Sequence, residues 1–133
     1  MSKRYMLDTD IASYVIRGTN ADLNRKVVAH GGCLCISSIT YHELLYGARM
    51  KDSRKLESII GAFEEMVPVV EFSRLVADKA AEIRAALDHQ GRTIGVMDAL
   101  IAANAIVESC ILVTNNTAHF SRITGLKFEN WTS

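Results

Sequence analysis

Apolar residues fall along this chain in two rhythms. Three short unbroken runs, "YML" at 5–7, "CLCIS" at 33–37 and "CILVT" at 110–114, have the length of strands and no polar alternation. Between them, apolar positions recur at helical spacing. "DIASYVIRG" predicts a helix that stops near Gly18. Residues 20–30 predict a second, closed by Gly31-Gly32. "ITYHELLYGARM" follows, and residues 54–66 carry a stripe of Ile59, Ile60, Phe63 and Met66. The lone proline, Pro68 in "MVPVVEF", marks a strand that starts there or lies at a sheet edge. "SRLVADKAAEIRAALDHQG" predicts a long alanine-rich helix with Ser73 as its N-cap. After the loop "RTIGV", "MDALIAANAIVES" reads as a helix apolar on most sides and therefore buried. The tail "GLKFENW" holds one more short strand. Continuous apolar strands alternating with helices predict an α/β fold whose parallel sheet is covered on both faces.

A length of 133 residues and an apolar share of 49% suit one compact domain spanning 1–133. The formal net charge is zero, so attraction of a polyanion must come from local patches. Cys33, Cys35 and Cys110 have neither disulfide-framework nor zinc-finger spacing, and they read as small hydrophobes, with Cys33 and Cys35 on one strand face. No signal peptide and no membrane-length apolar run is apparent, which predicts a cytoplasmic protein that does not enter a membrane.

Parallel sheets place function at the carboxyl ends of their strands. Asp8 ends the first run, Glu43 lies in the first turns of the helix after "CLCIS", and Asp98 opens the helix after "RTIGV". Thr114, Asn115 and Asn116 follow the run "CILV". Carboxylates gathered at one edge repel unless a cation joins them. Oxygen-only ligands suit a hard ion such as Mg2+ or Mn2+, which lowers the pKa of water and steadies charge on phosphoryl oxygen. Asp98 also has a simpler reading as a capping residue favoured by the helix dipole. Asp10 is read as the N-cap of the first helix. "LDTD" resembles, too, the first motif of haloacid-dehalogenase-type phosphatases. That pattern needs a lysine and two further acids, and after Thr114 the chain offers only Lys127 and Glu129.

"YMLDTDIASYVIRG", "ISSITYHELLYGA", "GRTIGVMDALIAANA" and "LVTNNTAHFSRITGLKFENW" together resemble the successive motifs of PIN-domain ribonucleases, most of all the VapC toxins of VapBC toxin–antitoxin modules. The resemblance implies an α/β/α sandwich with about five parallel strands. It implies Mg2+- or Mn2+-dependent cleavage of RNA, with tRNA near the anticodon as the expected target and translation as the process stopped. It puts the catalytic, metal-binding acids on Asp8, Glu43 and Asp98. It also implies a VapB-type antitoxin over the active site, a homodimer, a toxin–antitoxin hetero-oligomer, and DNA contact only through the antitoxin.

Two departures stand out. Asp10 occupies a position usually held by Asn. The fourth family acid is absent from "TNNTAHFSRI", where Asn116 and His119 stand instead. Asn116 is then an orienting group, His119 a candidate proton donor or a solvent-facing loop residue, and Thr9 and Thr114 positioning hydroxyls. A PIN scaffold that has weakened catalysis and acts as a binding module is the alternative. Arg92, Arg49 and Lys51, with Arg17, Arg54 and Lys55, are candidates for RNA phosphates. Tyr14, Tyr41, Tyr46 and Phe120 are candidates for base stacking or core packing. The apolar surface of "IASYVIRG" and "SIIGAFEEM" is the expected antitoxin groove.

Overall fold

A computed structural model describes residues 3–132. Five strands form one sheet: β1 (Tyr5–Leu7), β2 (Leu34–Ser37), β3 (Val69–Val70), β4 (Ile111–Val113) and β5 (Phe128–Glu129), in the order β3-β2-β1-β4-β5. Every pairing is parallel, and Tyr5 faces Leu34 on one side and Ile111 on the other. The helices are α1 (Thr9–Arg17), α2 (Ala21–Ala29), α3 (Ser38–Met50), α4 (Arg54–Met66), α5 (Arg74–His89), α6 (Val96–Val107) and the single turn α7 (Thr117–Phe120). The expected α/β architecture of about five parallel strands is what forms.

Because strand side chains alternate between faces, β1 feeds two cores. Met6, Cys35 and Leu112 pack with α5, α6 and Phe120. Tyr5, Leu7, Leu34, Ile36 and Val113 pack on the other side with Ile11 and Ala12 of α1, Leu23 of α2, Phe63 of α4 and Trp131. Helix α6 lies close to the sheet because its inward residues are small: Ala99, Ala102, Ala103 and Ala105 are all fully buried. Near the start of β1, Trp131 stacks on His30 at 4.6 Å and tilts against Tyr5 at 5.1 Å, tying the segment after β5 to the central strand. No helix among the described residues is long and apolar enough to cross a membrane.

Most predicted elements are present, with instructive shifts. Pro68 precedes the edge strand β3, its carbonyl accepting from the Ile36 amide at 3.0 Å, so a residue without an N–H sits where none is needed. Ser73 caps α5 as expected. Helix α7 had no periodic signal, being only four residues long. Phe120, a stacking candidate, is fully buried on the α5–α6 side, which removes it from any RNA surface. Cys33 lies before β2 begins and packs with the α1–α4 side, whereas Cys35 faces α5–α6. Their spacing of two therefore does not put them on one face.

Leu112 is fully buried in β4, the strand paired with β1 on the side away from β2. Leu112→Ala is expected to cost about 2–5 kcal/mol, read from the urea midpoint at unchanged m-value.

Candidate active site

The carboxyl edge of the sheet gathers polarity that the rest of the interior excludes. Among the described residues five polar side chains are buried, and four of them, Asp8, Ser37, Thr40 and Thr114, lie here. Asp8 directly follows β1 and is 4% exposed. Its Oδ1 accepts from the Ile11 amide at 2.9 Å, and its carbonyl accepts from Ala12 at 2.9 Å, so Asp8 is the N-cap of α1. The predicted cap, Asp10, is an exposed residue of the first helical turn. The helix starts two residues earlier than expected because the acid at the strand tip performs both tasks, leaving the strand and opening the helix.

The other acids arrive from separate elements. Glu43 projects from α3, where its Oε1 accepts from the Thr9 hydroxyl at 2.6 Å. Thr9 also meets the Thr40 hydroxyl at 3.2 Å, so a chain of hydroxyls fixes the glutamate. Asp98 sits in the first turn of α6, half-buried, behind Gly95. The N-cap of α6 is Gly95, so Asp98 does not occupy the cap position itself, but it lies in the first turn where the helix dipole favours its charge. A Cβ at Gly95 would stand 3.8 Å from Asp98 Oδ2, in ordinary van der Waals contact, so the glycine leaves that side of the carboxylate uncovered.

The segment after β4 completes the edge. Thr114 Oγ1 accepts from the Asn116 amide at 2.9 Å, a turn that holds Asn116 beside the site. Asn116 Nδ2 lies 2.9 Å from His119 Nδ1, which orients the ring. His119 is half-buried in α7, close enough to Asp98 for a positive charge on its ring to oppose the rise of that carboxyl.

Electrostatics show what these groups do to one another. Burial pushes the Asp8 carboxyl up to about 6; Thr114 and the Ile11 amide pull it down, while Asp10 and Asp98 push it further up. Asp98 is raised by burial and then by Asp10 and Glu43, with His119 opposing. Asp8, Asp10, Glu43 and Asp98 therefore share one field. Among the described residues no arginine or lysine forms an ion pair with any of them. No three His, Cys, Asp or Glu side chains among the described residues are already closed around one point. The donors fit a hard divalent cation in kind and in charge: all oxygen, strongly negative, and without a lysine or arginine ion pair among the described residues.

The basic candidates separate. A groove of about 400 Å³ runs from Thr9, Asp10 and Glu43 past Ser13 to Arg17 and Lys51. Arg17 lines this groove, its guanidinium over the Tyr14 ring at 4.9 Å and donating to Ser13 Oγ at 3.2 Å. Arg49 instead pairs with Glu57 at 3.3 Å, and Arg92 is exposed in the loop before α6. Tyr46 is 61% exposed, whereas Tyr41 packs into the α1–α4 core. Glu129, one of the acids a phosphatase reading needed, accepts from Trp131 Nε1 at 2.9 Å and is spent on packing the aromatic stack. Thr40 and Ser37 carried no signal of their own in "ISSIT"; only the burial of the helix start reveals them.

Comparison with known proteins follows the same line. A model of the PIN-domain family matches residues 5–126. The tRNA(fMet)-specific endonuclease VapC of Shigella flexneri is 37% identical over 130 residues, covering 96% of this chain and 98% of that one. The structure of VapBC2 from Rickettsia felis bound to a DNA fragment from its promoter superposes with a TM-score of 0.88 at 35% identity, covering 96% of this chain and 98% of that one. DNA-bound VapBC from Salmonella typhimurium superposes with a TM-score of 0.89 at 30% identity, covering 98% and 99%.

Asp8 holds its proton more tightly in the folded chain than in the unfolded one. The metal-free protein should therefore lose stability as pH rises from ~4, the ordinary carboxylate range, through the raised value of about 6. Asp8→Asn keeps an N-cap acceptor and removes the charge. In thermal melts with a chelator present, Asp8→Asn is expected to melt higher than the wild type at neutral pH, with the difference closing below ~pH 4.

Proposed function

This chain belongs to the PIN-domain family, and from that footing we propose that it is the toxin of a toxin–antitoxin module, a divalent-metal-dependent endoribonuclease. The observation that carries the reading is the buried, uncompensated carboxylate of Asp8, facing Asp98 within a field that Asp10 and Glu43 share. Maintaining such a cluster without a cation costs stability, and a Mg2+ or Mn2+ ion bound by Asp8, Glu43 and Asp98 offsets that cost. When bound, the ion would supply Lewis-acid stabilisation of a phosphoryl oxygen and a more acidic water.

The chain's own residues do the rest. Thr9 holds Glu43 in one orientation through its short hydroxyl bond. Thr114 and the Ile11 amide hold Asp8. Asn116 orients His119 at the place where the family's fourth acid is missing, leaving a neutral amide and an imidazole beside the acids. Arg17 and Lys51 lie along the groove that leaves the acids, where they would meet the phosphates flanking the scissile bond. Arg92 remains a candidate for the same task from its exposed loop. Arg49 is engaged by Glu57, which weakens its case. The target is RNA, and tRNA in particular, following the activity named in the Shigella relative.

The partner assignment rests on an apolar groove of about 670 Å³ between α1, α2 and α4. Val15, Ile16, Ile59, Phe63 and Met66 line it, the residues of the two stretches expected to receive an antitoxin. Ile16 belongs to this groove and to the acid-lined one, so a segment lying in the first leads toward the catalytic edge. The Rickettsia and Salmonella structures are VapBC complexes on DNA. We assign DNA contact here to the antitoxin, within a hetero-oligomer built on a toxin homodimer.

Purified, antitoxin-free protein should cut total tRNA into discrete fragments with Mg2+ or Mn2+ and not with EDTA. Asp98→Asn should lower cleavage by about 100-fold or more, the scale of losing one charge-stabilising group. Mn2+ should also raise the wild-type melting temperature and leave that of Asp98→Asn nearly unchanged. Metal-stabilised protein that cleaves no RNA would instead favour the binding-module reading, with the replaced fourth acid as its cause.

A further inference from the structure

Glu43 stands on a border between two faces of α3. At about 100° per residue, Leu44, Gly47 and the cap Lys51 fall to one side of it, and these line the groove that leads to Arg17. His42, Tyr46 and Met50 fall to the other side, each one turn further along the helix. The start of this second face is covered, since Ile39 packs into the α5–α6 core. Beyond it the helix is bare: His42 is exposed, and Tyr46 and Met50 are 61% and 67% exposed. The His42 and Tyr46 rings lie within 26° of parallel, with centroids 6.4 Å apart. Tyr41 and Phe120 are spent on the cores and Tyr14 lies beneath Arg17, which leaves Tyr46 open one helical turn from Glu43.

The width of this strip decides what it can hold. Glu43 bounds it on the near side, and on the far side Arg49 pairs with Glu57 of α4 at 3.3 Å. The strip is therefore one side chain wide. Three side chains that bury at most ~250 Å² each fall short of the ~800 Å² that each partner of a stable protein interface contributes. An unpaired base needs only the face of one ring. Charge agrees with that occupant. Arg17 and Lys51 lie along the groove on the other side of Glu43, where phosphates are drawn. A single strand of RNA crossing α3 at Glu43 lays its phosphates toward those cations and its uncharged bases toward Tyr46 and His42.

We infer that Tyr46 and His42 form a base-stacking ledge, a subsite that holds unpaired bases of the RNA next to the phosphate to be cut. The inference rests on the reading of this chain as an endoribonuclease and adds to it the residues that select among RNA strands. Stacking tolerates any base, because each has a π face, so the ledge selects for unpaired bases without naming their sequence. Bases within a duplex are already stacked on one another and gain nothing from it. Met50 extends the ledge as a flexible apolar contact. Tyr46 and His42 act on binding and not on the chemical step, so their loss moves KM while kcat stays.

The test measures binding apart from cleavage. Short unstructured oligoribonucleotides with 2-aminopurine at successive positions are titrated with the Asp98→Asn protein, which cuts them too slowly to matter, and stacking is read as loss of fluorescence. Adding Tyr46→Ala is expected to weaken binding about fivefold or more and to restore fluorescence at the stacked position. The salt dependence should keep its slope, because no phosphate contact is lost. His42→Ala should act alike at a neighbouring position, and Tyr46→Phe should bind as before. In the otherwise unaltered enzyme Tyr46→Ala should raise KM with little change in kcat. Both side chains are exposed, so the variants should melt with their parent, which separates lost stacking from a lost fold. The ledge is overturned if Tyr46→Ala binds and quenches like its parent, if Tyr46→Phe loses as much as Tyr46→Ala, or if Tyr46→Ala changes the sedimenting mass and so marks the strip as a contact between copies. Metal-dependent cutting with unchanged Tyr46→Ala kinetics removes the ledge alone, whereas a protein that neither binds nor cuts RNA removes the endoribonuclease reading with it.

Discussion

The carboxylate of Asp8 is buried where β1 turns into α1, and that one desolvated charge organises the carboxyl edge. The backbone there is fixed from three directions: the Asp8 amide donates to the Val113 carbonyl at 3.0 Å, its side chain accepts from Ile11, and its carbonyl accepts from Ala12. The acid is therefore a structural hinge between sheet and helix before it is anything else. Its charge is costly in that position, because no lysine or arginine answers it and other carboxylates share its field. The same property that makes the edge unfavourable alone makes it receptive to a hard cation.

Supporting residues convert this receptivity into geometry. Glu43 comes from α3 on a different strand connection, and the Thr9 hydroxyl bridges the two elements within one side-chain bond. Thr40 backs Thr9 from inside α3. Across the edge, Thr114 and Asn116 build a turn that delivers His119 toward Asp98. A chain with no net charge thus produces a strongly negative mouth by segregating its acids, with Arg17 and Lys51 placed further along the groove.

Much of this was legible in the order of residues. Unbroken apolar runs gave parallel strands, and Asp8, Glu43 and Asp98 stood out as candidates from their places at strand and helix ends and from the motifs around them. What pattern alone missed was decided by contacts between distant segments. Asp10 was the cap the pattern suggested, and only the bonds that Asp8 accepts from the Ile11 and Ala12 amides show which acid meets the helix start. Phe120 could be read for stacking or for packing because α7 is too short to have a period, and its burial settles it as the anchor of the turn after β4 in the core. Cys33 and Cys35 obey a strand rhythm that begins one residue too late to include the first of them. Arg49 and Lys51 were indistinguishable in one basic run until Glu57 claimed the arginine.

The strand order has a further meaning for the order of synthesis. β1 is the first strand made and the central one in the sheet, and one of its two neighbours, β4, begins only at Ile111. Chains emerge from the ribosome amino end first at roughly 5–20 residues per second. β1 therefore spends seconds with one edge open, and Asp8 lacks the Val113 carbonyl that fixes it. The acids at 8, 43 and 98 are all present before that bond forms. A growing chain of this topology carries every carboxylate of the site by residue 98 yet stays unassembled until β4 at Ile111–Val113 has followed, so the time at which it becomes competent is set by connectivity and not by when its reactive residues appear.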